Sequence, residues 1–242
     1  MQLLPEWLGI AASVWIARAS PRFHYRPIGF VHALRDGVIA LSLWALAFLL
    51  EIGLISGVLP VPASFSLANQ NSPLSQFGFE PLAAIAALII VFASMLYRRQ
   101  PLKSAGWSRL TLRNGLLVGV AMGFLTIFLR AKFNAVFSGL SAVQLNALLL
   151  ASGMCLAEET VFRGYLQLRL QWWLGKSWGF LLTAGLFTLW RLPLFLAVPE
   201  TMIFNLGATL VQGLLLGWIM QSCGSVAAPA IYAIISTWCN FL

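Results

Sequence analysis

Long apolar runs alternate with short polar segments along the whole chain. The runs cover residues 3–17, 37–61, 81–97, 114–129, 140–157, 178–190, 202–220 and 226–242. A helix needs ~20 apolar residues to cross the hydrocarbon core of a bilayer. Only helices and closed barrels satisfy every backbone group there, and these runs are too long for barrel strands. The pattern predicts an all-α fold, a polytopic membrane helical bundle of about seven or eight spans. The first run is interrupted by Glu6, and positive charge follows it instead of preceding it. It reads as an interfacial helix, or as a first span with its N-terminus outside, rather than as a signal peptide. Residues 62–79 are polar and uncharged, rich in Ser, Asn, Gln and Pro. They read either as a partner-binding loop or as a long outer connection.

Composition agrees with lipid as the main solvent. Of the 242 residues 60% are hydrophobic and 9% charged, whereas a soluble domain carries about a quarter charged residues. The net charge of +8 would point to nucleic acid in a soluble protein. Here it reads as orientation signal, so no nucleic-acid partner is expected, and the lipid bilayer is the expected surrounding. Twelve of the fifteen Lys and Arg residues form three groups: Arg18, Arg22, Arg26 and Arg35; Arg98, Arg99, Lys103, Arg109 and Arg113; and Arg163, Arg169 and Lys176. Two crossings separate each group from the next, so all three fall on one side. The positive-inside rule makes that side the cytoplasm. Loops 18–35, 98–113 and 163–176 are thus expected to be cytoplasmic in an integral, multi-pass protein. The glutamate pair Glu158 and Glu159 is then expected at the cytoplasmic end of its helix.

Cys155, Cys223 and Cys239 lie in or beside apolar runs without CxxC spacing and read as small hydrophobes. Gly115, Gly119 and Gly123 have the small-xxx-small spacing of close helix packing. Trp172, Trp173 and Trp178 read as an interfacial aromatic belt. Glu51, inside the second run, either pairs with an arginine, lines a cavity or sits near water. His24 and His32, in the first basic loop, read as solvated or headgroup-facing. No cofactor and no metal site is expected.

The chemistry concentrates at Glu158 and Glu159. A charged residue within a span costs roughly 2.5–3.5 kcal/mol on translocon scales. Arg163 stands four residues after Glu159, the offset of an ion pair on one helix face. Glu158 points about 100° away, so one carboxylate can be neutralised while the other faces elsewhere. A carboxylate beside a charged one has a raised proton affinity, which suits a general base. The alternative is an ion-paired network that locks helices in register.

The stretch Ala157-Glu158-Glu159-Thr160-Val161-Phe162-Arg163-Gly164-Tyr165-Leu166-Gln167 resembles the E-E-x-x-x-R motif of the CAAX-protease and bacteriocin-processing (CPBP, Abi) family of intramembrane endopeptidases. The resemblance extends over residues 114–242, through Phe187, the glycines near Gly213 and Gly217, then Gly224-Ser225 and Pro229. It implies a CAAX-protease-like core at 114–242, accessory transmembrane helices at 37–113, and an N-terminal apolar segment with a basic loop at 1–36. It also implies Glu158 as the residue that activates water, followed by an F-x-x-x-H motif and an H-x-x-x-N or H-x-x-x-D motif. In this chain the residue four after Phe187 is Arg191. The last motif falls on Ala233 and Thr237, or in another register on Ser236 and Asn240, without histidine. Two functions follow. One is a catalytically silent relative, a scaffold, assembly factor or complex subunit that binds another membrane protein. The other is an active glutamate-dependent endopeptidase with Glu158 as base, Glu159 and Arg163 as orienting partners, and Arg191 as electrophilic support in place of histidine.

Overall fold

The computed structural model describes residues 3–19, 29–58, 78–196 and 199–242. His24, Arg22, Arg26 and nearly all of the polar segment 62–79 lie outside the described residues. Among the described residues every regular element is a helix. They are α1 (Leu3–Ala19), α2 (Ala33–Ile55), α3 (Glu80–Tyr97), α4 (Arg109–Leu129), α5 (Phe133–Phe137), α6 (Ala142–Glu159), α7 (Gln167–Leu174), α8 (Lys176–Phe195), α9 (Met202–Cys223) and α10 (Ala227–Trp238).

Among the described residues six stretches are long and apolar enough to cross a membrane: Ala33–Ile55, Glu80–Tyr97, Leu102–Leu129, Ala142–Leu174, Lys176–Phe195 and Pro199–Cys223. The other two runs make shorter helices. In α1 the apolar part is Leu4–Ile16. Helix α10 has 12 residues, about 18 Å of rise, against a hydrocarbon core of ~30 Å. Ala228, Ala230 and Tyr232 on it are fully buried, so protein rather than lipid surrounds it. The seven or eight expected spans are therefore six full-length ones and two short apolar helices.

Sequence features set the helix ends. Ser141 caps α6: its hydroxyl accepts from Gln144 N, and the Gln144 side chain accepts from Ser141 N at 2.9 Å. Pro81 stands in the first turn of α3, where a missing N–H costs nothing. Gly224, at φ +63°, closes α9 in the left-handed conformation. The glycine stripe on α4 lies against α10, as its spacing predicts. A methyl group on Gly115 would stand 2.7 Å from Ser225, and one on Gly119 2.9 Å from Ile231.

Two expectations change. Helix α6 does not end after the glutamates. It continues through a π-helical segment at Thr160–Leu166 into α7 as one rod, apolar over Ala142–Leu174. Arg163 and Arg169 therefore belong to a buried helix, at 1% and 0% exposure, and the stretch 163–176 is not a loop. For the same reason Glu158 is midway along the rod, ~24 Å from either end, and not at its cytoplasmic end. Among the described residues, Arg35, Arg98 and Lys103 line one groove at one end of the bundle, and Arg169 reaches the same end. Arg98, after α3, pairs with Asp36 at the start of α2. Arg169 donates to the Ser104 carbonyl at 3.1 Å and to Gln100 at 2.6 Å. The Trp172 indole donates to the Phe30 carbonyl at 2.7 Å.

Candidate functional site

Glu158 is fixed by the rod, and its partner comes from α8. Arg191 Nη2 lies 2.6 Å from Glu158 Oε2, and its other terminal nitrogen pairs with Glu80 at the start of α3. One guanidinium thus spans two carboxylates from two further helices. Glu158 and Glu159 are 4% and 1% exposed, so water screens these charges little. Among the described residues Oε1 of Glu158 has no hydrogen-bond partner.

Glu159 is turned about 100° from Glu158 around the helix. Its Oε2 is 3.4 Å from Arg163 Nε, the expected i,i+4 pair. The Arg163 guanidinium carbon sits 4.0 Å from the centre of the Phe187 ring, a cation–π contact. None of its three nitrogens has a hydrogen bond. Phe187 in turn meets Phe162 edge-on at 5.2 Å, and Arg191 lies 5.8 Å from its centre. Phe187 is the apolar partition between the two ion pairs.

A cavity of about 390 Å³ opens beside these groups. Glu80, Glu158, Glu159 and Arg191 line it, together with Ala233 and Thr237 of α10. The positions matched to the family motifs thus converge on one space, although they are 79 residues apart in sequence from Glu158 to Thr237. The register with Ala233 and Thr237 faces the cavity. Ser236 turns away, toward Glu6, while Asn240 reaches the cavity rim. The cavity lies toward the end opposite the basic groups, since Glu80 begins α3 and Arg191 is near the end of α8. His32 is at the basic end, and among the described residues no three His, Cys, Asp or Glu side chains are grouped to hold a metal ion. All three cysteines are buried and free.

Glu51 is 1% exposed, and the charges that reach it are those of Arg191, Glu158 and Glu80. It belongs to this charge cluster and not to the water-exposed third of α2. A second buried network escaped the sequence reading. Glu6 of α1, fully buried, takes Arg130 Nε at 2.6 Å and the hydroxyls of Tyr232 and Ser236, each at 3.0 Å. Arg130 also donates to the Ser236 carbonyl and to the Asn240 side chain, both at 2.9 Å. The available signal was a lone acid inside an apolar run, which requires a partner.

Residues 140–239 match the family model described as Type II CAAX prenyl endopeptidase Rce1-like. No curated protein and no solved structure matches the chain. The matched residues hold Glu158, Glu159, Arg163, Arg191, Ala233 and Thr237, and over that stretch this integral, multi-pass membrane chain is similar to the Rce1-like CAAX endopeptidases.

Proposed function

We propose that this chain is a catalytically silent member of its family, which uses the cavity beside Glu158 to hold another membrane protein as a scaffold or complex subunit. The observation that carries this is Arg191 between Glu158 and Glu80. A permanent cation 2.6 Å from Glu158 occupies one oxygen of that carboxylate, which leaves it less available as a base toward water. Removing the histidines and supplying an arginine turns a proton-transfer site into a helix lock. In this reading the family-like core is residues 114–242, with 37–113 as accessory helices and 1–36 as the N-terminal segment. The basic end of the bundle faces the cytoplasm, by the positive-inside rule.

One observation favours an active endopeptidase instead: Oε1 of Glu158 is without a hydrogen bond, and Glu158 borders a cavity. Glu158 would then be the base, Glu159 and Arg163 its orienting partners, and Arg191 the electrophile. Cleavage of prenylated and unmodified hydrophobic peptides by the purified full chain in bilayers separates the two. The silent reading expects no cleavage above that of the Glu158→Gln variant. Cleavage that Glu158→Gln abolishes would overturn it. Gentle-detergent co-purification gives the complementary result. A stoichiometric membrane partner is expected with the unmodified chain, and its loss when Ala233→Phe narrows the cavity.

A further inference from the structure

We infer that a second site, a groove at the basic end of the bundle, binds the phosphate of an anionic lipid headgroup. The groove has a volume of about 810 Å³ and lies between the start of α2, the end of α3 and the turn at Leu102–Ala105. His32, Arg35, Asp36, Arg98 and Lys103 line it. Arg35, Arg98 and Lys103 face one carboxylate there, and Asp36 is spent on Arg98. Among the described residues Arg35 and Lys103 form no ion pair, and both are exposed.

Arg98 is held in the groove wall by Asp36. The exposed Arg35 and Lys103 remain to meet an anion, and their nitrogen donors make charge-assisted hydrogen bonds to phosphate.

The rim selects an anion that carries an apolar tail. Val31 and Tyr97 are 92% and 91% exposed, and Leu34 and Leu102 are more than half exposed. These residues stand where the apolar surfaces of α2 and α3 begin, at the level where headgroups meet acyl chains. Basic pockets between helices at a cytoplasmic face are places where phosphate headgroups bind. The groove is separate from the glutamate cavity, and the inference does not depend on whether that cavity is catalytic.

The test uses the full chain in detergent, titrated with short-chain phosphatidylglycerol and read by native mass spectrometry. Phosphatidylglycerol should be retained in preference to phosphatidylcholine. Each basic side chain at an anionic surface contributes roughly fivefold, so Arg35→Gln with Lys103→Gln should weaken retention about 30-fold. Lys103→Gln alone should weaken it about fivefold, which keeps the test open if the double variant misfolds. Arg113→Gln with Lys176→Gln, equal in charge but outside the groove, should bind as the unmodified chain does. Inorganic phosphate at the lipid's concentration should not displace it. Equal retention of the two lipids, equal losses from both double variants, or displacement by free phosphate would each overturn the assignment.

Discussion

Arg191 decides more about this molecule than any other single residue. It stands where the resemblance would place a histidine, and it joins α8 to both α6 and α3 through Glu158 and Glu80. Taking away one partner of a buried ion pair leaves the other charged and unpaired, at a cost of about 3–5 kcal/mol. Arg191→Met is therefore expected to lower the thermal unfolding midpoint of the purified protein sharply. Adding Glu80→Gln and Glu158→Gln to that variant should recover most of the loss, because neutral groups need no counter-charge. If the triple variant is no more stable than Arg191→Met, the pairs are not what holds these helices. Arg163 is held differently, by Glu159 at 3.4 Å and by the face of Phe187. The motif's arginine and its aromatic residue thus form one contact, although they lie 24 positions apart.

At the scale of elements, the π-helical segment Thr160–Leu166 explains how one rod carries both the glutamates and two buried arginines. Such segments tend to occur at functional sites. Gly164 within it allows the turn at Leu102–Ala105 to lie directly on the rod. A methyl group there would stand 2.2 Å from the Ala105 carbonyl oxygen. Gly164→Ala should push that backbone away and destabilise by about 1–3 kcal/mol. Gly153, on the same rod, faces open space: a methyl group there would meet nothing within 4 Å. Gly153→Ala should leave stability unchanged or raise it by up to ~1 kcal/mol. Thermal unfolding of the two variants side by side checks the contrast, and equal effects would contradict it. The pair also shows that two glycines of one helix, alike in sequence, differ in what surrounds them.

At the scale of the whole molecule, contacts among the described residues at the basic end fix the arrangement of the spans. Arg98 reaches Asp36, Arg169 reaches Ser104, and Trp172 reaches Phe30. Single cysteines placed at Arg99 and at Lys176 should therefore react with an impermeant thiol reagent from the same face of the membrane. A cysteine at Glu200, in the connection between α8 and α9, should react from the opposite face. The three native cysteines are buried and should remain silent. Labelling of positions 99 and 176 from opposite faces would refute the arrangement.

The sequence by itself determined the class of fold, because apolar runs of span length admit few structures in lipid. It also determined the Glu159–Arg163 pair and the packing of Gly115 and Gly119, since both depend only on helical periodicity. Glu158 was legible as one of two acids inside an apolar run, whereas Phe187 and Arg191 were legible only through the resemblance to the family motifs. Tertiary structure alone decided the rest. That Glu80 and Glu51 join the cluster, that Glu6 meets Arg130, and that Arg163 and Arg169 are interior rather than in a loop depend on which helices are neighbours. A charge in an apolar run announces that a partner is needed. Its identity is set by packing between segments up to 230 residues apart, as for Glu6 and Ser236, and no periodicity within a single helix carries that information.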